Sequence, residues 1–301
     1  MVNKLMTRAA LLSQQLRNGM KTSGILSGVA KAVRDLRIGA GSPVALCEMY
    51  TELMAKNPAI AHALAGDGLM AYAFYARLRR VLELAKPDLI IDAGAHEGQF
   101  AGLVQGYCEY SGEVVSFEPV KAHFERLSAH LGAYRDWKAV NAALGDTDGE
   151  TMIHVGASHG GTSSLLPQTD ILATYVSDAQ LGEKQPVKLM RLDTYLTERF
   201  GEKIPERIFL KLDVQGYEEQ VFRSAGRFLP NVRLLLAEIS ALQFYEGQKT
   251  FAEMCTLFRD AGFTPILIEN NFGYCNLIYY DFDVFFCRDE DLRSLSLAAV
   301  G

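Results

Sequence analysis

From Pro87 onward the chain alternates short apolar runs with helical stretches, and this alternation limits the fold more than any other feature. The runs are Leu89–Asp92, Val114–Phe117, Ala139–Ala143, Ile208–Leu212, Leu234–Ala237, Pro265–Ile268 and Val284–Phe286. Most intervals between them hold a helix-length segment. Parallel strands need such crossovers, so the pattern predicts an α/β fold with a doubly wound, mainly parallel sheet of seven strands. The start is marked chemically: Lys86-Pro87-Asp88 ends the preceding helical pattern, because a residue before proline is pushed out of the helical region.

Upstream, apolar residues repeat at helical spacing. Leu5, Ala9, Leu12 and Leu16 share one face, Leu26, Val29, Val33 and Leu36 share another, and Met49, Leu53, Ile60, Leu64 and Leu69 continue the pattern. We therefore expect two parts, a helical N-terminal extension over residues 1–80 and an α/β domain over 81–301. Their charge differs sharply. Residues 1–44 carry seven basic side chains against the single acid Asp35, while the rest of the chain holds 23 basic and 35 acidic residues. A basic amphipathic arm suits either a peripheral membrane contact or packing in a homodimer. The net charge of −6 argues against general nucleic-acid binding. Five scattered cysteines without CxxC spacing argue against a disulfide framework or zinc knuckle and fit a cytoplasmic protein. No run of about 18 apolar residues is present to span a membrane as a helix.

The first apolar run leads into Asp92-Ala93-Gly94-Ala95-His96-Glu97-Gly98, a strand, a tight turn and the start of a helix. A dinucleotide site would place glycine where Ala95 stands, so that backbone amides could cradle a pyrophosphate. The acid before the turn would also repel phosphate. S-adenosylmethionine, cationic and free of phosphate, suits this loop better than NAD(P), and a nicotinamide oxidoreductase is the alternative. Glu118 ends the next strand, 20 residues after Gly98, where an acid can accept hydrogen bonds from both ribose hydroxyls. It could equally cap the helix that follows Pro119.

Together with Phe117-Glu118-Pro119, Asn141-Ala142-Ala143-Leu144-Gly145-Asp146, Gly160-Gly161-Thr162-Ser163-Ser164-Leu165, Arg191-Leu192-Asp193 and Lys211-Leu212-Asp213-Val214-Gln215-Gly216-Tyr217-Glu218, this loop resembles the FkbM-type S-adenosylmethionine-dependent methyltransferases. The likeness runs from about residue 85 to 270, with the motifs in family order. Two positions depart from it: His96 stands where the family usually has Asn, and Gln215 where it usually has Glu. The resemblance implies a Rossmann-like class I methyltransferase with S-adenosyl-L-methionine as cofactor. Asp92, Gly94, Ala95, His96 and Gly98 would belong to the cofactor site, with Gly94, Ala95 and the turn around His96 at the methionine part; Glu118 would hold the ribose, and Ala143, Leu144 and Asp146 would flank the adenine. It further implies methylation of a hydroxyl on a small molecule or glycan. A methyltransferase-like binding protein without turnover is the remaining alternative.

Methyl transfer to an alcohol needs a base at the carboxyl ends of the central strands. Asp213 and Glu238 end neighbouring runs and are the leading candidates, with His159 in the glycine- and hydroxyl-rich segment 156–164 as a third. Asp213 could instead cap the helix after it. Lys211 could neutralise or orient the substrate. A divalent ion on Asp213 and Glu238 would be another route, but two acids form a thin ligand set and the histidines show no ligand spacing, so no metal site is assigned. His62, His123 and His130 are expected on helix surfaces and His154 at an exposed strand position. Phe244, Tyr245, Phe272 and Tyr274 could stack on a sugar, with core packing the competing role for the two phenylalanines.

Overall fold

The computed structural model describes residues 68–134, 136–156, 161–175, 181–270 and 281–293. The basic arm, His62, His159, Phe272 and Tyr274 lie outside these. The chain divides into two units, Met1–Arg77 and Leu78–Gly301, and the architecture is that of the second. Helix α1 (Gly68–Ala85) brings Leu78 and Leu82, four residues apart on one face, into the core. Then follow β1 (Leu89–Ala93), α2 (Gln99–Gly106), β2 (Glu113–Phe117), α3 (Lys121–Ser128) and β3 (Trp137–Val140). After them come β4 (Ala143–Leu144), β5 (Gly149–Gly156), α4 (Asp170–Tyr175), β6 (Leu181–Met190), α5 (Leu192–Phe200) and β7 (Ile208–Leu212). The chain continues through α6 (Glu218–Ser224), β8 (Val232–Ser240), α7 (Phe251–Asp260), β9 (Phe263–Asn270) and β10 (Asp281–Arg288).

Seven strands form one sheet in the order β3-β2-β1-β7-β8-β10-β9. Pairings from β3 through β8 are parallel, and β10 runs antiparallel to both of its neighbours. The sheet is therefore the doubly wound α/β sheet expected. Every residue of β1 and of β7 is buried, which is why both read as unbroken apolar runs. Helix α5 adds Leu192, Tyr195 and Leu196 to the core on one face of the sheet. Helix α7 starts from a capping box in which Thr250 and Glu253 satisfy each other's backbone N–H groups.

The expected strand Ala139–Ala143 is two strands in two sheets. Asn141 breaks it: its Nδ2 donates to the carbonyls of Glu118 and Pro119 at 2.8 and 3.1 Å. The chain thereby leaves the main sheet, and β4 joins a second sheet of order β4-β6-β5. Strands β5 and β6 escape a reading by apolar periodicity because their length is mostly polar and solvent-facing. No helix among the described residues is long and apolar enough to cross a membrane.

Candidate active site

The order of strands reverses between β1 and β7, and ligands of open α/β sheets bind at that switch point, beyond the carboxyl ends of the strands. Here the β1 loop turns tightly. The amides of Gly94 and Ala95 both donate to the carbonyl of Phe117, at 3.1 and 3.0 Å, tying the loop to the end of β2. Gly94 has φ +77°, and a Cβ there would lie 1.7 Å from the carbonyl oxygen of Asp213. Only glycine lets β1 and the β7 loop approach so closely. His96 also has a positive φ, 50°, a conformation in which Asn and His are over-represented.

Glu118 is buried at the end of β2. Its Oε2 accepts the His96 amide and its Oε1 the Val120 amide, each at 2.8 Å. Glu118 thus braces the turn into α3, one of the two roles its position suggested, and at the same time faces the cleft. Each carboxylate oxygen keeps a further lone pair for an outside donor.

The cleft, about 640 Å³ counting space open to solvent, lies between Gly94, His96 and Glu118 on one side and Asp213, Val214, Gln215 and Tyr217 on another. Phe117, Ala142, Ala143, Leu144, Ile153 and Leu165 give it an apolar wall, and Gly161 and Ser163 its rim. Of the nine residues assigned to a cofactor, Gly94, His96, Glu118, Ala143 and Leu144 line it. Asp92 lies fully buried behind the loop, and Ala95 is buried too. Gly98 starts α2 beneath the Trp137 ring, which leaves no room for a Cβ. Asp146 is exposed and accepts the Tyr217 hydroxyl at 3.1 Å, so it meets the cleft through Tyr217.

Asp213 emerges from β7 into the cleft, one-third open to solvent. It does not cap a helix, for α6 begins at Glu218, whose Oε1 accepts the amides of Val214 and Gly216 at 3.0 and 3.1 Å. The Gln215 Nε2 donates to Asp213 Oδ1 at 3.1 Å and to Glu238 Oε2 at 2.7 Å, joining the two predicted carboxylates. Gln215 is itself fixed by Tyr245, whose hydroxyl donates to Oε1 at 3.0 Å, and by Ser164, whose hydroxyl donates to its carbonyl at 2.6 Å.

Lys211 is nearly buried and fully engaged. Its Nζ stands 3.1 Å from Asp92, 3.2 Å from Asp213 and 3.1 Å from the carbonyl of Gly94. It therefore does not reach out to neutralise a substrate, as its motif suggested; it joins the glycine loop to Asp213. Burial works against its charge, yet the two carboxylates hold its pKa above the ordinary value.

Burial would raise Asp213, but the Lys211 charge and hydrogen bonds from Glu238 and Gln215 bring it below the usual carboxylate range. Burial and the charges of Asp213 and Asp281 push Glu238 well above its own. The two are thereby shifted in opposite directions, Asp213 toward the charged form and Glu238 toward the protonated one. Asp283, directly opposite Glu238 on β10, is raised to about 7 by burial and by Asp213. Among the described residues, no group of three or more His, Cys, Asp or Glu is placed to hold a metal ion.

The other aromatic and histidine residues sort by burial. Phe244 and Tyr245 lie in the core, Tyr245 with its hydroxyl turned to Gln215. His154 sits half-buried on β5. His123, expected on a helix surface, is buried instead, packed on the His96 ring with centroids 4.3 Å apart. The sequence carried no signal for Gln215 or Tyr245 as partners of the two acids, beyond the departure at 215.

A switch-point cleft with an acid at the end of β2, an apolar slot and no phosphate cradle defines a Rossmann-like methyltransferase of class I. The chain belongs to the family of the methyltransferase FkbM domain, whose pattern it matches over residues 92–265. Its cofactor is accordingly S-adenosylmethionine, and the cleft fits it: Glu118 offers lone pairs to ribose hydroxyls and Ala142–Leu144 an apolar face to a base. No curated protein matches the sequence. Among solved structures, the chain is similar to a methyltransferase FkbM from Methylobacillus flagellatus KT, at 13% identity and TM-score 0.40, over 66% of this chain and 43% of that one. It thus spans less than half of that protein's length. It is also similar to the magnesium protoporphyrin IX methyltransferase from Synechocystis PCC 6803, solved with bound S-adenosylmethionine, at 13% identity and TM-score 0.39, over 73% and 81% of the two chains. A third likeness, at 12% identity and TM-score 0.37, is to an rRNA methylase from Streptococcus thermophilus, over 71% and 96%.

Proposed function

We propose that the protein transfers a methyl group to a hydroxyl oxygen, with a sugar of a glycan, glycolipid or related natural product as acceptor. The observation that carries this reading is Asp213: a carboxylate at the carboxyl end of β7, in the cofactor cleft, kept charged beside a buried cation. A hydroxyl is a weak nucleophile until its proton is taken, and a carboxylate within hydrogen-bond reach does this as the oxygen attacks. Bound S-adenosylmethionine supplies an electrophilic methyl carbon on a sulfonium. Asp213 accepts the hydroxyl proton, Lys211 and Gln215 hold its oxygens in place, and Glu118 anchors the ribose. The apolar wall keeps water from the reacting oxygen.

The test uses S-adenosylmethionine labelled in its methyl group with a panel of polysaccharides and glycolipids from a host lacking the gene. Label is expected in an alkali-stable methyl ether. Asp213→Asn is expected to abolish incorporation while S-adenosylhomocysteine still binds. Label recovered as a methylamine, a carbon-bound methyl or a base-labile ester would sink hydroxyl transfer.

A further inference from the structure

We infer that His123 is a positioning residue for the cofactor, holding the ribose acid Glu118 and the loop residue His96 from behind. This rests on the S-adenosylmethionine assignment of the cleft and is independent of the acceptor. His123 does not line the cleft, yet both side chains it backs do. It lies on α3 with only 8% of its side chain exposed. Its Nδ1 has no hydrogen-bond partner among the described residues and lies 3.7 Å from Glu118 Oε1, too far for a hydrogen bond and within reach of an ion pair. A buried imidazole nitrogen left unsatisfied beside a buried carboxylate is costly unless the pair shares charge in some state of the molecule.

Every neighbouring element contributes a titratable group. The β1–α2 loop brings His96, in ring contact, and Glu97, which ion-pairs with Arg126 of α3 itself. Burial opposes the charge of Glu97, but Arg126 and the two histidines lower its pKa. The end of β2 brings Glu118. On α3, Lys121 and Glu125 are exposed and face each other at 3.9 Å. Strand β3 brings Lys138, committed to Glu113 at 2.7 Å. Among the described residues, His123 is therefore the one basic side chain within ion-pair distance of Glu118.

The sign of the effect follows from acceptor capacity. Glu118 has four lone-pair positions, and two are taken by the amides of His96 and Val120. Two ribose hydroxyls would use the remaining two. At 3.7 Å His123 takes up neither of these, so it steadies the carboxylate from behind and leaves both positions to the cofactor.

Calorimetric titration with S-adenosylhomocysteine, which carries no sulfonium charge, tests this alongside urea denaturation of each variant. His123→Phe keeps a ring against His96 but loses the nitrogen facing Glu118, and should bind about three- to tenfold more weakly, the worth of one polar contact. His123→Gln returns a polar group toward Glu118 and should recover part of that affinity, and it serves as the reference if the Phe variant does not fold. Wild-type affinity in both variants, or affinities that follow stability and not the polar group, would each overturn the inference. Absence of binding by the wild type would instead overturn the cofactor assignment.

Discussion

The ammonium of Lys211 stands 3.1 Å from the carboxylate of Asp92, and both groups lie in the interior of the sheet. Asp92 is in turn satisfied by Ser116, whose hydroxyl donates to it at 3.0 Å and accepts from Trp137 Nε1 at the same distance. A buried line of polar contacts thus runs from β3 through β2 and β1 to Lys211 on β7 and on to Asp213.

Removing the cation leaves Asp92 and Asp213 without compensation. Lys211→Met should destabilise the domain by about 3–5 kcal/mol in urea denaturation, the usual cost of breaking a buried ion pair from one side. Adding Asp92→Asn to that variant should restore part of the loss. A single-variant loss below about 1 kcal/mol would show that the triad is solvated and contributes little.

Gly94 is fixed by sterics. Gly94→Ala adds a methyl where 1.7 Å separates it from the Asp213 carbonyl, at φ +77°. We expect S-adenosylhomocysteine binding to fall below detection, with stability reduced by more than the ~1–2 kcal/mol of left-handed strain alone, because the β1 and β7 loops must part. Near-normal calorimetric affinity in this variant would contradict the close approach.

The uneven pair at the base is open to infrared spectroscopy. Glu238 is expected to carry a proton at neutral pH, pushed up by burial and by the Asp213 and Asp281 charges, while Asp213 is ionised. The protonated-carboxyl band seen at pH 7 should weaken in Glu238→Gln and persist in Asp213→Asn. The converse pattern would exchange their roles. Gln215→Glu, which sets a third carboxylate between the two, should cost about 1–3 kcal/mol at pH 8 and less at pH 5.

Glu218 links the site to stability. Burial raises it to about 7 despite the amides it accepts. An acid raised in the folded state binds its proton more tightly there than in the unfolded chain. Its contribution is present in full below the unfolded value, near 4.3, and is lost as pH rises through about 7. Glu218→Gln preserves an acceptor for Val214 and Gly216. It should remove this decline and stabilise the protein at pH 8 by about 1–3 kcal/mol, measured by denaturant titration at pH 4.5 and 8. An unchanged pH slope would remove Glu218 as its source.

Much of the fold was legible because its information is local. A buried parallel strand must be apolar along its whole length, so β1 and β7 stand out in any reading of the chain, and the turn after β1 needs glycine where no side chain fits. Glu118 and Asp213 were legible for the same reason, as acids placed where a strand ends. The sheet of β4, β5 and β6 was not, since β4 is two residues long, polar residues interrupt the apolar ones of β5 and β6, and the break at Asn141 depends on carbonyls of residues 118 and 119.

By itself, the sequence determined the alternation of strands and helices in the main sheet, the acid and glycine positions at the strand ends, and the family to which they belong. Only the tertiary structure decided what each charged group does. Lys211 meets the carbonyl of Gly94 across 117 residues of chain, and Gln215 meets Glu238 across 23. His123 is buried because the β1 loop and the end of β2 close over one face of α3. Residue type and spacing mark where a charge can sit on a strand or helix. Its protonation and its partner depend on the dielectric and on neighbours brought together from distant segments, and these exist once the sheet has formed.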